Sequence, residues 1–164
     1  MQQREIDRIQ QLWVEARVFE YPPALQIGCG MKRIPEAVNV DPNPDRWAWA
    51  DAAGDAHRLP FAGGTFNCVV SSHVVPHLRD PLAAFVEMAR VLKPGGIVAH
   101  VIPDLRYAPR RRETRHPFAD QPHGWYGPAD FWQLAQRLDD VFYFVELENF
   151  SEFRWSFKVR AVRL

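Results

Sequence analysis

The sequence predicts an α/β fold with a mainly parallel sheet. Three observations carry this. Short apolar runs of strand length alternate with helical or turn-rich stretches; the early runs end in glycines or an acid; and the chain finishes on two β-rich runs suited to a hairpin. In chain order, Ile6, Ile9, Leu12 or Trp13, Ala16 and Phe19 recur at helical spacing, so residues from about 3 to 19 read as an amphipathic helix, ended by Tyr21-Pro22-Pro23. Ala24 to Gly28 is the first strand and Ala37 to Asp41 the second. Trp47 to Ala53 reads as a third, weaker strand, and Phe66 to Ser71 as a buried fourth, entered from a Gly63-Gly64 turn. Asp80-Pro81 opens a helix whose Leu82, Phe85, Val86, Ala89 and Leu92 form one apolar face; Lys93-Pro94-Gly95-Gly96 stops it. Ile97 to Ile102 is the fifth strand. Pro128 to Leu138 is a helix, and Val141 to Glu148 pairs with Phe153 to Leu164 as the closing hairpin.

With 164 residues the chain makes one domain, large enough for a single core. Its formal net charge of +0 argues against a general nucleic-acid or membrane-surface binder, because those rely on a summed positive field. Cys29 and Cys68 sit in apolar contexts without metal-ligand spacing, and no secretory h-region or membrane-spanning apolar run appears. The expectation is a reduced, cytoplasmic protein that holds no metal. The segment Leu105 to Pro128 carries Arg106, Arg110, Arg111, Arg112 and Arg115; it reads either as a solvated loop or as a clamp for a phosphate or carboxylate. His116 and His123 in the same loop would ligate a metal only if two more ligands converged.

The most informative stretch is LQIGCGMKRIPEAVNVDP, Leu25 to Pro42. Glycines at the carboxyl end of a parallel strand let a ligand approach the backbone, and an acid closing the next strand can accept hydrogen bonds from both hydroxyls of a ribose. Only Met31 to Glu36 separate the two runs, whereas a crossover containing a helix needs roughly a dozen residues. A few extended residues at roughly 3.3 Å each can still reach back along a short strand, so parallel pairing is expected without a covering helix. One sheet face then needs another cover, either the N-terminal helix or a second copy of the chain in a homodimer.

The run from Leu25 to Asp104 resembles the core of a class I methyltransferase dependent on S-adenosylmethionine, of the small methyltransferase type 11 kind. The most specific part is GDAHRLPFAGGTFNCVVSSHVVPHLRDPLAAFVEMARVLKPGG, Gly54 to Gly96. The resemblance implies a Rossmann-like methyltransferase fold, with 24–104 as the cofactor-binding core, 1–22 as a covering helix, 105–128 as an acceptor-side loop and 128–164 as helix and closing hairpin. It implies that Gly28, Cys29 and Gly30 face the amino-acid end of S-adenosylmethionine, and that Asp41, with Pro42 beside it, holds the ribose. Asp55 and the Ala56 amide would read adenine, and Ser71 and Ser72 would end the fourth strand beside the cofactor. The chain departs from the family at Gln26, usually an acid, at Lys32, often a third glycine, and at Pro76, often an acid before the following histidine.

The function implied is methyl transfer to an acceptor that the sequence does not name, with a small molecule favoured. Where the acceptor must lose a proton, His73, His77, Asp104 and His123 are the candidate bases, His73 and His77 foremost by position after the fourth strand. His57 and His100 read as structural or surface groups, and Cys29 as a packing residue with no base to activate it. The alternative is a non-catalytic nucleoside-binding protein acting through a partner. A nicotinamide-dependent oxidoreductase is disfavoured, because Arg33 stands where Gly-x-Gly-x-x-Gly spacing needs glycine.

Overall fold

The computed structural model describes residues 22–43, 45, 48–104, 127–149 and 156–164. Seven strands form one sheet: β1 Ala24–Ile27, β2 Ala37–Asp41, β3 Ala52–Ala53, β4 Phe66–Ser72, β5 Leu92–Pro103, β6 Phe142–Asn149 and β7 Ser156–Arg163. Their spatial order is β3-β2-β1-β4-β5-β7-β6, parallel from β3 to β5 and antiparallel at β7 and β6. Chain direction across the sheet reverses between β1 and β4, the position at which open α/β sheets place their ligands.

Two helices lie on one face. Helix α1, Pro81–Val91, starts where Asp80 accepts from the Ala83 amide at 3.1 Å and Pro81 supplies a preset first turn. Its buried stripe is Pro81, Ala84, Phe85, Met88, Ala89 and Val91. That corrects the expected face: Val86 is 48% exposed, and Leu92 caps the helix in extended geometry and pairs with Phe66 as the first residue of β5. The Lys93-Pro94-Gly95-Gly96 stop is absorbed as an irregularity at the start of β5, where the register shifts between Phe66 and Cys68. Helix α2, Pro128–Gln136, ends two residues before the expected Leu138, and the third strand is only two residues long where seven were expected.

Between the helices and the sheet lies a core in which Phe85, Phe131, Phe142, Phe144 and Phe157 meet edge to face or tilted, with ring centroids about 6 Å apart. Strand alternation sends Leu25, Ile27, Val40, Val69, Val98 and Ile102 into this core and Ala24, Ala37, Cys68, Val70, Ala99 and Val101 to the opposite face. Ile34, from the short crossover, joins that second cluster. The N-terminal helix and the arginine-rich loop with His116 and His123 lie outside the described residues. Among the described residues no helix is long and apolar enough to cross a membrane.

Candidate functional site

The short crossover keeps its strands parallel, with Ala24 opposite Ala37 and Ile27 opposite Val40. It is not the plain extended link that reach alone suggests: Lys32 N bonds Cys29 O at 2.9 Å and Ala37 N bonds Ile34 O at 3.1 Å, making two tight turns. Side chains then do what a helix would have done. The Gln26 amide donates to Lys32 O at 2.9 Å, and its carbonyl shares the Ile34 amide with Asn39 Oδ1, each at 2.8 Å. Asn39, with no exposed surface, donates through Nδ2 to Ile34 O, Ala37 O and Asp51 Oδ2. Asp51 also accepts from Asn39 N and pairs with Arg33 at 2.9 Å. These bonds hold the Asp51 carboxyl below its usual range, the Asn39 side-chain bond contributing most. Gln26 is thereby committed to the crossover.

This clamp supports the loop at the end of β1. Gly28 and Gly30 have φ of +63° and +56°, the left-handed region that favours glycine. A Cβ at Gly28 would lie 2.4 Å from Val74 Cγ2, so Val74, just past β4, is seated against the bare backbone. A Cβ at Gly30 would meet nothing within 4 Å, so the space on that side of the main chain is open. Cys29 is buried; burial first, then the nearby Asp41 charge, pushes its thiol up to about 11, so it packs and is no nucleophile. Asp41, at the end of β2, accepts from Gly30 N at 2.8 Å and from Asn43 N at 2.9 Å. It therefore shapes the loop at the end of β1. Pro42 beside it is exposed.

Asp41 pairs in register with Ala53 of β3, and Gly54 N returns to Asp41 O at 3.3 Å, so Asp55 follows on the neighbouring strand end. Asp55 Oδ1 accepts from His57 N at 2.9 Å and His57 Nδ1 at 2.5 Å. Burial opposes its charge, but these His57 bonds and the Arg79 charge outweigh burial and keep its carboxyl below the ordinary range. Ala56 is buried behind it. The following loop is tied to α1 by side chains that the sequence did not single out: Leu59 N donates to Glu87 at 2.7 Å, and Arg90 donates to Leu59 O and Phe61 O. The only sequence signal for this tie is the acid–base pair three residues apart on a helix.

Past β4 the side chains diverge. Ser71 is fully buried and hydrogen-bonds His100 Nδ1 at 2.8 Å on the helix side, so any contact it makes with a ligand is through backbone. Ser72 bonds His73 Nδ1 at 2.9 Å, and Ser156 Oγ lies 3.3 Å from His73 Nε2. His73 has φ of +59°, an uncommon conformation for a residue with a side chain, and its amide donates to Val101 O. His77 is exposed at the end of a 3-10 turn, Val75–His77. Asp104 is fully buried at the end of β5.

His100 packs edge-on to Phe85, and among the described residues its buried Nε2 has no hydrogen-bond partner. Burial lowers its pKa from 6.5 to about 3, so it folds neutral. The unfolded chain then binds the extra proton: stability is untouched above about pH 6.5 and falls as pH drops from there toward 3. Urea titrations at pH 7 and pH 4 are expected to lose about 3 kcal/mol more in the wild type than in His100→Gln. Equal losses would remove His100 from the acid response.

A protein-family model described as a methyltransferase domain matches residues 25–100. An uncharacterized methyltransferase of Schizosaccharomyces pombe is 48% identical over 52 residues, 32% of this chain and 19% of that protein. The chain thus matches less than a fifth of that relative's length. Among solved structures, the PH0226 protein of Pyrococcus horikoshii superposes with a TM-score of 0.70 at 22% identity, covering 99% of this chain and 92% of that one. A SAM-dependent methyltransferase of Aquifex aeolicus superposes with a TM-score of 0.63 at 16% identity, covering 96% and 98%. At these identities the likeness is one of fold.

Proposed function

We propose that this chain, whose residues 25–100 match a methyltransferase domain model, binds S-adenosylmethionine at the carboxyl ends of β1, β2 and β3 and directs its methyl group to a small-molecule acceptor. One observation carries the reading: where the sheet order reverses, a loop of two left-handed glycines leaves open space above Gly30, with the Asp41 carboxylate bonded to that same residue. Open space beside bare main chain suits a ligand that approaches the backbone. In this reading the backbone of Gly28, Cys29 and Gly30 lines the amino-acid end, Asp41 and Pro42 flank the ribose, and Asp55 with the Ala56 amide meets the adenine. Ser71 and Ser72 close the β4 side, Ser71 through its backbone alone.

S-adenosylmethionine supplies a methyl already activated as a sulfonium, so the chain's chief task is alignment of the acceptor atom. His73 and His77 are the groups we assign to the acceptor side. The Ser72 and Ser156 hydroxyls fix the direction of the His73 ring, which suits it to hold or take a proton at a set position. A small acceptor is supported by the zero net charge, which supplies no summed field for a polyanion. Both cysteines are free and buried, which supports a reducing, cytoplasmic setting.

Calorimetry with S-adenosylmethionine, S-adenosylhomocysteine and NAD tests the reading, with heat expected from the first two only. Asp41→Ala is expected to weaken that binding by about 1 to 3 kcal/mol through lost charge-assisted hydrogen bonds. Unchanged affinity would take Asp41 out of the site. A second reading, a non-catalytic binder of the same nucleosides acting through a partner, is favoured by Gln26, whose amide is taken up by the crossover. Binding of S-adenosylmethionine without formation of S-adenosylhomocysteine and methylated acceptor across an acceptor panel would select it.

A further inference from the structure

We propose that His57 is a positioning residue that commits Asp55 to a single ligand-facing oxygen and so sets selectivity for a purine bearing an exocyclic amine over one bearing an oxo group. The inference rests on the cofactor reading above. Its basis is a clamp that reads both ends of one imidazole. The Asp80 amide donates to His57 Nε2 at 3.1 Å, so that nitrogen presents a lone pair and the ring proton must sit on Nδ1. Nδ1–H then donates to Asp55 Oδ1, which the His57 backbone amide also approaches at 2.9 Å.

Two donors therefore converge on Oδ1. Among the described residues, the other oxygen, Oδ2, faces only Arg79 Nη2 at 3.9 Å, beyond hydrogen-bond length. Arg79 is 71% exposed at its side chain, so that pairing is weak and easily exchanged for a ligand donor. The ring itself is only 15% exposed, and its anchor is rigid: Asp80 is the residue whose side chain caps α1 at Ala83. The helix start thus fixes the imidazole, the imidazole fixes the carboxylate, and the carboxylate offers an acceptor with no proton of its own. An amino group donates to such an oxygen; an oxo group opposes it.

The test measures affinities of the full chain for S-adenosylhomocysteine and S-inosylhomocysteine in wild type, His57→Phe and His57→Asn, and nitrogen chemical shifts of the labelled histidines in wild type. The wild type is expected to prefer the amine at least tenfold. His57→Phe, which keeps the ring and removes both nitrogens, is expected to lose most of that ratio, and His57→Asn, which keeps a side-chain N–H near the Nδ1 position, to recover much of it. The His57 shifts are expected to report the Nδ1–H form near neutral pH. A wild type that binds neither nucleoside overturns the cofactor reading and this role with it. Wild-type selectivity that survives in His57→Phe, or an Nε2–H ring in the wild type, overturns the positioning role alone. The tautomer measurement decides the clamp even where a variant does not fold.

Discussion

Asn39→Ala is expected to cost the fold about 3 kcal/mol, seen as a lower urea midpoint at unchanged slope. The side chain has no exposed surface and joins three segments: it accepts from Ile34 N and donates to Ile34 O, Ala37 O and Asp51 Oδ2. Some partners survive, since Ile34 N keeps Gln26 Oε1 and Asp51 Oδ2 keeps the Asn39 amide. The loss is therefore smaller than a sum over four bonds, and the mechanism is a part-orphaned network with a small void. Asn39→Asp makes the sharper control. It retains shape but sets a second carboxyl against Asp51 Oδ2, now 2.9 Å from the amide nitrogen, and turns two donor bonds to carbonyls into repulsions. At neutral pH it should destabilise at least as much as alanine and recover in part on mild acidification, when the new carboxyl takes up a proton. A variant with wild-type stability would mean the crossover is held by its two turns alone.

Gly28→Ala is expected to reduce affinity for S-adenosylhomocysteine more than tenfold and to cost about 2 kcal/mol of stability. Two separate penalties act. An alanine at φ +63° carries roughly 1 to 2 kcal/mol of backbone strain, and its Cβ would lie 2.4 Å from Val74 Cγ2. Relief of that contact must move Val74 or the loop, and either change shifts the main chain beside Gly30. The double variant Gly28→Ala with Val74→Ala separates the penalties, because it removes the clash and leaves the strain. Gly30→Ala is the contrasting case. Its Cβ meets nothing within 4 Å, so stability should fall only by the strain while the added methyl enters the space assigned to the ligand. Unchanged affinity in Gly30→Ala would argue against a ligand over Gly30. Calorimetry beside chemical denaturation provides both readouts.

The frame of this protein was legible because its strands are short apolar runs with hard stops. Gly28, Asp41 and Gly63-Gly64 end or enter strands where expected, and the six residues from Met31 to Glu36 rule out a crossover helix by length alone. Less legible was anything set by a partner distant in sequence. Val86 fits a helical stripe when counted from Leu82, yet the sheet meets the stripe one residue earlier, at Pro81, Ala84, Phe85 and Met88. The weak third strand shrank to Ala52–Ala53, an edge strand that among the described residues pairs with Val40 and Asp41 alone. The crossover clamp left one trace that could have been read. Gln26 and Asn39 are polar residues inside otherwise apolar strands, and they sit directly opposite each other. Two amides at one register, both inside a sheet, must find partners, and the nearest backbone without regular pairing is the link between their own strands. Ser71 misled in the opposite way. Its position at the end of β4 suggested a ligand contact, but strand alternation turns its hydroxyl toward His100 and the helices.

The short crossover also bears on how the chain reaches this state. Parallel strands ordinarily pair across a long excursion, and closing that excursion is an entropic debt that slows folding. Here Ala24 finds Ala37 only thirteen positions away, a separation closer to that of a hairpin than of a helix-bridged pair. By contrast, β1 must wait for β4, where Ala24 meets Cys68, and β5 for β7, where Ile97 meets Val162. The glycine loop thus lies in a part of the parallel sheet with little chain to gather, and it can be in place before β4 and β5 assemble beside it.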